Sequence, residues 1–149
     1  MRKFSVLIHL KDAPADLTRT IQSLQVSDEV LLIDHLKNAD LSRAVHDHGA
    51  KLVPAIDGVQ DGAYVSNAGN DWVLCLRPCE QVSDALSRAL QRWKEEDEQH
   101  DAKLVGYTVE VNGRGELRFV NRKRLNWMDE LPAFASNVRP MPGELLPCA

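Results

Sequence analysis

The sequence predicts an α/β fold with a mostly parallel central sheet flanked by helices. Two observations carry this prediction: short β-rich apolar runs alternate with apolar stripes at helical spacing, and the connections between them are short. Strands that alternate with helices in this way pair in parallel through right-handed crossovers. The length of 149 residues, with 44% hydrophobic and 27% charged residues, suits one packed domain. We therefore expect a single domain over residues 1–149.

The first half of the chain supplies three predicted strands and two predicted helices. One strand is a nearly continuous apolar run, which is typical of a strand covered on both faces of its sheet. The elements are, in chain order, a strand at Phe4–Leu10, a helix with Leu17, Ile21 and Leu24, a strand at Glu29–Asp34, a helical stripe of Leu41, Ala44, Val45 and His48, and a strand at Lys51–Val53.

The next segment continues the alternation of strand and helix. A loop with a short helix around Gly62–Ala68 leads into a predicted buried strand at Asp71–Leu76. A strongly amphipathic helix follows, and its N-cap is Ser83 or the Glu80–Gln81 turn before it. The apolar face of this helix carries Val82, Leu86, Ala89, Leu90 and Trp93.

The last third of the chain changes to an antiparallel pattern. Leu104–Val111 and Glu116–Val120 alternate around a glycine-bearing loop, which predicts a β-hairpin. From about Pro132 onward, recurrent prolines predict a tail that wraps around the domain or frays. The basic residues of this third are Arg114, Arg118, Arg122, Lys123 and Arg124. They either contact phosphates or an acidic partner, or protect a solvated strand edge; we favour the strand edge, because the whole chain is acidic.

Charge, hydropathy and cysteine content limit the possible functions. A formal charge of -4 gives no general reason to bind nucleic acid. No apolar run reaches the ~20 residues of a membrane span, and the amino terminus lacks the features of a signal peptide. Three cysteines are too few for a disulfide scaffold and favour a reducing compartment, so we expect a cytoplasmic protein.

Ligands of an open α/β sheet bind beyond the carboxyl ends of its strands, so the residues there are the candidates for a site. The chain has neither a dinucleotide-binding glycine motif nor a P-loop. Asp34 ends a predicted buried strand, where its carboxylate either accepts hydrogen bonds from a base or ribose, or caps the following turn. Arg77 follows another strand, where a guanidinium can hold a diphosphate without metal or pair with a nearby carboxylate.

Several segments, taken in order, resemble family 2 glycosyltransferases with the GT-A fold, most of all the lipopolysaccharide-core type. The resemblance covers about Ser5 to Ala89 at even spacing. The matching segments are Ser5–Ile8, Leu17–Leu24, Asp28–Asp34, His48–Val53 and Asn70–Leu76, with a weaker match at Leu117–Arg122 and Trp127. It implies a GT-A domain that binds a uridine-type nucleotide sugar, with an Asp-x-Asp motif holding Mg²⁺ or Mn²⁺ on the diphosphate.

The resemblance also assigns candidate residues, and most of them depart from the family pattern. Asp34 matches the family's base-reading aspartate. Arg77 and Cys79 stand at the two carboxylate positions of the metal motif, so we expect no metal or other cofactor there. The candidate nucleotide-sugar-binding residues are Asp12, Asp34, Gln60, Arg77 and Glu80.

Retained framework residues and replaced ligand residues lead to three functional hypotheses. The first is a glycosyltransferase-like domain without turnover that binds a nucleotide sugar or a protein partner. The second is an active, metal-independent glycosyltransferase that uses Arg77 on the donor diphosphate. The third is a protein-interaction module that associates with itself or a partner through the carboxyl-terminal hairpin and tail. We favour the first hypothesis, because the apolar framework, which packing selects, is retained, whereas the ligand residues, which chemistry selects, are replaced. A relative that has lost catalysis is expected to show this combination.

Overall fold

The computed structural model describes residues 1–11, 17–37, 45–46 and 49–147. Its strands are β1 (Phe4–Leu10), β2 (Glu29–Asp34), β3 (Lys51–Pro54), β4 (Trp72–Leu76), β5 (Gln81–Val82), β6 (Gly106–Val111), β7 (Arg114–Asn121) and β8 (Val138–Leu146). Its α-helices are α1 (Leu17–Gln22) and α2 (Asp84–Glu95), and two 3₁₀ helices span Asp61–Asn67 and Glu98–Asp101. All eight strands form one sheet in the order β3-β2-β1-β4-β7-β6-β8-β5.

The sheet is mixed, which corrects the prediction of a mostly parallel sheet. Parallel pairs join β1 to β2, β1 to β4, β2 to β3 and β6 to β8. Antiparallel pairs join β4 to β7, β6 to β7 and β5 to β8. The predicted parallel unit is therefore one half of the sheet, and the other half consists of β7, β6 and β8, which follow Lys103, together with the short β5.

The sheet is covered on both faces, as the apolar strands predict. Every residue of β1 and β4 is buried. One core contains the apolar face of α2, with Phe4, Trp93 and Phe119 in edge-to-face contact. A second core contains Leu7, Leu31 and the 3₁₀-helical Tyr64. The predicted short helix and the Ser83 N-cap are confirmed, because Ser83 Oγ accepts a hydrogen bond from Leu86 N at 3.1 Å.

The predicted carboxyl-terminal hairpin is confirmed as the β6–β7 pair. Val111 pairs with Arg114, which leaves Asn112 and Gly113 as a two-residue turn. Their φ angles of 53° and 77° are both positive, as a type I′ turn requires. Asn-Gly is the dipeptide most suited to this turn, because both residues tolerate the left-handed region.

The proline-rich tail was predicted to wrap or fray, and that prediction is wrong for residues 138–146. This segment is β8, which pairs with β6 in parallel and with the short β5 antiparallel. β5 reaches only Leu145 and Leu146, so most of β8 borders a single strand, where Pro140 and Pro142 are tolerated. The pairing register shifts beside Pro140, and Gly143 takes a φ of 95°.

Three further predictions concern a helix, a candidate ligand residue and the absence of a membrane span. The predicted helical stripe from Leu41 to His48 lies outside the described residues except at Val45 and His46, which are helical. Asp12 also lies outside them. In the described ranges, no helix has the length and hydropathy needed to cross a membrane.

Candidate functional site

The strand order creates a topological switch point between β1 and β4. From β1 the chain runs outward through β2 to β3, and it then returns to the opposite side of β1 as β4. In an open α/β sheet the loops beyond such a point diverge and leave a crevice at the carboxyl ends of the strands. Lys11 follows β1 and Arg77 follows β4, so each of the two strands at this point is followed directly by a cation.

Arg77 is half exposed and only loosely paired. Its side chain is 46% accessible, and its Nη1 lies 3.6 Å from Glu80 Oε2 and 3.9 Å from Glu116 Oε1. These separations exceed the hydrogen-bond range, so the ion pairs leave the guanidinium's donors unused. Pairing with a nearby carboxylate, one of the two roles left open for Arg77, is therefore present with Glu80, but it is weak.

Glu80 itself belongs to a buried ion pair. Its two carboxylate oxygens accept hydrogen bonds from Arg118 Nη1 and Nη2 at 2.7 and 3.0 Å, and the two side chains are 2% and 1% exposed. Burial alone would lower the pKa of Arg118, but hydrogen bonds and charge from Glu80 raise it above its usual value. Glu80 Oε1 also accepts from Arg77 N at 2.7 Å, so this carboxylate fixes the loop that carries Arg77.

Arg118 was not among the candidate nucleotide-sugar-binding residues, and the strand-edge interpretation of its segment is wrong for β7. β7 lies between β4 and β6 in the sheet. The sequence pattern gives no partner for Arg118, and only the fold places Glu80 beside it. A buried arginine beside a buried carboxylate is a structural pair.

Asp34 holds the turn after β2. It is 6% exposed, and its Oδ1 accepts hydrogen bonds from the backbone N–H groups of Leu36 and Lys37 at 2.9 Å each. Lys37 has a φ of 55°, so the turn contains a left-handed residue that these bonds stabilise. This arrangement is the turn-capping role that the sequence analysis left open for Asp34. Gln60 is exposed and precedes the 3₁₀ helix at Asp61, and its side chain accepts no capping hydrogen bond from that helix.

Two histidines and an aspartate meet beside Lys11. His9 Nδ1 lies 2.9 Å from His35 Nε2, and His35 Nε2 lies 3.9 Å from Asp61 Oδ1. His9 is 4% exposed, and its Nε2 has no hydrogen-bond partner within the described part of the chain. Burial lowers the pKa of His9 to about 4, against the opposing effect of the Asp61 charge.

Lys11 completes this group from its exposed side. Its ammonium donates to Asp61 Oδ2 and lies 3.6 Å from Glu130 Oε2. The hydrogen bond from Lys11 is the main reason that the pKa of Asp61 lies below its usual value. None of these residues was predicted to be a ligand, since they come from separate elements and share no local motif.

The cysteines beside the site have different chemistry. Cys75 is free and completely buried in β4, and burial raises the pKa of its thiol to about 12. Cys79 is disulfide-bonded, whereas the low cysteine content favoured a reducing compartment. Cys79 stands at the second carboxylate position of the family's metal motif, so that position offers no free thiolate.

A solved structure shares this fold. No protein-family model and no curated protein matches the chain. A nucleotidyl transferase from Methanothermobacter thermautotroptrophicus (Mth528) matches 74% of this chain at 13% identity and a TM-score of 0.41, and the match spans only 63% of that protein. A 4-diphosphocytidyl-2C-methyl-D-erythritol synthase matches 97% of this chain and 90% of its own, at 12% identity and a TM-score of 0.51. The likeness to the synthase shows that this chain shares the α/β fold of that structure.

Proposed function

We propose that this chain binds the diphosphate of a nucleotide sugar in the crevice between β1 and β4, as a glycosyltransferase-like domain without turnover. The observation that carries the proposal is the switch point, with Lys11 and Arg77 on its two sides. Both cations are close to half exposed, at 45% and 46% of their side-chain surface. A diphosphate in the crevice gains charge-assisted hydrogen bonds from such groups.

Arg77 is the stronger of the two candidate ligands. Glu80 fixes its backbone, while its guanidinium keeps its donors available. A planar guanidinium presents paired N–H groups that match two phosphate oxygens. Lys11 is already engaged with Asp61, so its contribution is a nearby positive charge. The expected site therefore depends on Arg77 more than on Lys11.

The absence of turnover is proposed from the residues at the family's metal motif. By resemblance the two carboxylate positions are Arg77 and disulfide-bonded Cys79, and neither is a hard oxygen ligand for Mg²⁺ or Mn²⁺. A leaving diphosphate that lacks such an ion lacks the usual neutralisation of its charge. The shared fold with a diphosphocytidyl-compound synthase supports the nucleotide class by analogy.

A thermal-shift panel of UDP-, GDP-, CMP- and dTDP-sugars, with and without Mn²⁺, tests the proposal. A ligand at a hundred times its Kd adds about 2.7 kcal/mol of stability, which for a chain of this size is about 5–10 °C in Tm. We expect one nucleotide class to stabilise the protein, with no added effect of Mn²⁺.

Two matched variants locate the binding site. Arg77→Ala is expected to abolish the shift, whereas Arg88→Ala, an exposed arginine on α2, is expected to retain it. Assays of donor hydrolysis and transfer with the same proteins test the alternative of an active, metal-independent glycosyltransferase. That alternative requires turnover in the unaltered protein and loss of turnover in Arg77→Ala. A flat response to every nucleotide sugar overturns the proposal, and a stable oligomer without nucleotide binding favours the interaction-module alternative.

A further inference from the structure

The group of His9, His35 and Asp61 lies at the carboxyl ends of β1 and β2, apart from the family's metal-motif positions after β4. We infer that these three side chains bind a divalent transition-metal ion of the zinc class. One ligand atom of each lies within 4.8 Å of the others. The inference does not depend on nucleotide binding, and it can be tested with the metal alone.

The separations of the ligand atoms fit a tetrahedral ion. Zinc binds nitrogen and oxygen at about 2.0–2.1 Å, which places tetrahedral ligand atoms about 3.3 Å apart. The observed 2.9 Å between the two imidazole nitrogens and 3.9 Å from His35 Nε2 to Asp61 Oδ1 lie on either side of this value. Each of the two separations differs from the tetrahedral value by only a few tenths of an ångström, so small side-chain shifts would be enough to reach it.

The backbone and neighbouring side chains hold the ligands in place. His9 is in β1, and the backbone N–H of His35 donates to Leu10 O at 3.1 Å, so the two histidines belong to one paired strand end. The ring of Tyr64 packs against both imidazoles, with centroid distances of 5.9 and 6.2 Å. Lys11 holds Asp61 by its Oδ2, while Asp61 Oδ1 is the oxygen nearest His35.

The donor set determines which ions fit. Two imidazoles and one carboxylate are the ligands of many zinc sites that keep a fourth position for water or substrate. Imidazole suits Zn²⁺, Cu²⁺ and Ni²⁺, whereas Mg²⁺, Ca²⁺ and Mn²⁺ prefer carboxylate, carbonyl and water oxygens. The charges of Lys11 and Glu130 offset each other, so the Asp61 carboxylate leaves the group with one negative charge for a cation.

The surroundings of His9 limit the expected affinity. A metal-bound histidine usually donates its other ring N–H to a carboxylate or carbonyl, and loss of that partner weakens binding about 10–100-fold. His9 Nε2 has no such partner within the described residues. We therefore expect micromolar rather than nanomolar zinc affinity.

Metal-free full-length protein, titrated with Zn²⁺ by calorimetry and with Co²⁺ by visible absorption, tests the inference. We expect one ion per chain, the intense absorption bands of four-coordinate Co²⁺, and no comparable binding of Mg²⁺. His35→Gln and Asp61→Asn alter partly exposed side chains, so both are expected to fold, as circular dichroism checks. His35→Gln is expected to weaken zinc binding about a hundredfold or more, since a lost ligand costs more than a lost partner of a ligand.

His100→Gln is the matched control, because His100 is exposed and pairs with Glu96 at 3.6 Å on another part of the surface. It is expected to leave the Co²⁺ spectrum and the zinc affinity unchanged. Equal loss in His100→Gln and His35→Gln, or no four-coordinate Co²⁺ spectrum in the unaltered protein, overturns the inference. Because nucleotide is absent from these titrations, their failure is distinct from failure of the nucleotide-sugar panel.

Discussion

Glu80 and Arg118 show that a charge next to a candidate site can serve the fold. Glu80 accepts two hydrogen bonds from Arg118 and one from the backbone of Arg77, in a region that excludes water. Removing one partner of such a pair leaves the other charge buried and uncompensated, which costs far more than the net contribution of the intact pair.

Glu80→Gln is therefore expected to lower the free energy of unfolding by about 3–5 kcal/mol. Glu116→Gln is a close control, because Glu116 also accepts from Arg118, at 3.0 Å, but its side chain is 37% exposed. Its cost is expected to stay below about 1 kcal/mol. Urea unfolding of both variants measures the difference, and equal effects would contradict the assignment of Glu80 as the buried partner.

The Cys75 thiol is expected to be unreactive in the folded protein. Complete burial and a pKa raised to about 12 leave almost no thiolate at neutral pH, and thiolate is the reacting form. Titration with a disulfide reagent under non-reducing conditions should give equal thiol counts for folded wild type and Cys75→Ala. In urea the wild type should give one thiol more than the variant; reaction of Cys75 in the folded protein would contradict its burial.

At the residue scale, the sequence indicated local roles but not partners. Asp34 ends an apolar run just before a turn, so the turn-capping role could be named from neighbours along the chain. Arg118 could not be assigned, because Glu80 lies 38 positions away and only the fold brings the two together. His9, His35 and Asp61 were missed for the same reason.

Among the elements, the carboxyl-terminal strand β8 departs most from expectation. Gly143 has a φ of 95°, and a Cβ at that position would lie 2.3 Å from Leu86 N in the first turn of α2. Glycine is required there for two separate reasons, the left-handed backbone and the close approach to the helix. Gly113 in the hairpin turn has only the first, because no atom of the described residues lies within 4 Å of its Cβ position.

Comparison of Gly143→Ala with Gly113→Ala separates these two effects. Gly113→Ala is expected to cost about 1 kcal/mol, the strain of a left-handed alanine. Gly143→Ala is expected to cost at least about 2 kcal/mol more, because the methyl group meets helix backbone that cannot move without displacing β8. Thermal and urea unfolding measure both costs, and similar losses of stability in the two variants would show that β8 shifts readily away from α2.

The elements that the sequence predicted well are those with a strong local period. The β1 and β2 boundaries agree with the prediction because each strand is one apolar run, and α2 follows its stripe and its Ser83 cap. β8 lacks such a signal, since Pro140, Pro142 and Gly143 are typical of loops. Pairing with β6 overrides these local preferences.

At the scale of the whole molecule, Asp101 connects the amino terminus to both halves of the fold. It is 1% exposed and accepts hydrogen bonds from Arg2, from Trp93 on α2 and from Tyr107 on β6. Burial would raise the pKa of Asp101, but the hydrogen bonds from these groups outweigh it and hold the pKa below its usual value.

Asp101→Asn is expected to cost about 3 kcal/mol at neutral pH, because a neutral amide cannot replace the carboxylate in the pair with Arg2. Since the pKa of Asp101 is lower in the folded state than in the unfolded state, its stabilisation is complete above about pH 5 and is lost as pH falls through the folded-state pKa. The stability difference between wild type and Asp101→Asn should therefore shrink in acid. Urea unfolding across this pH range measures it.

Exposed Glu98→Gln in the neighbouring 3₁₀ helix is the control for this comparison. It is expected to change stability by less than about 0.5 kcal/mol. An Asp101→Asn deficit that stays constant down to the lowest pH would contradict the lowered pKa.

Only part of the sheet could be predicted, because a local sequence pattern specifies its parallel half and does not specify the pairing of the other half. Strand–helix alternation predicts neighbours in parallel order, so β1, β2 and β3 could be placed from the sequence. The pairing of β4 with β7 joins segments on either side of α2, and no local pattern fixes it. The residues that follow the strands could be inspected in advance, whereas the partners of their side chains could not.

The position of β8 also matters while the polypeptide is being made. β8 leaves the ribosome after every other described strand, yet it lies between β6 and β5. Until β8 is made, one edge of β6 exposes a row of unpaired backbone N–H and C=O groups, and such an exposed strand edge pairs readily with strands of other chains. Nascent chains arrested before Val138 should therefore associate with one another. Synthesis of residues 138–146 covers this edge of β6.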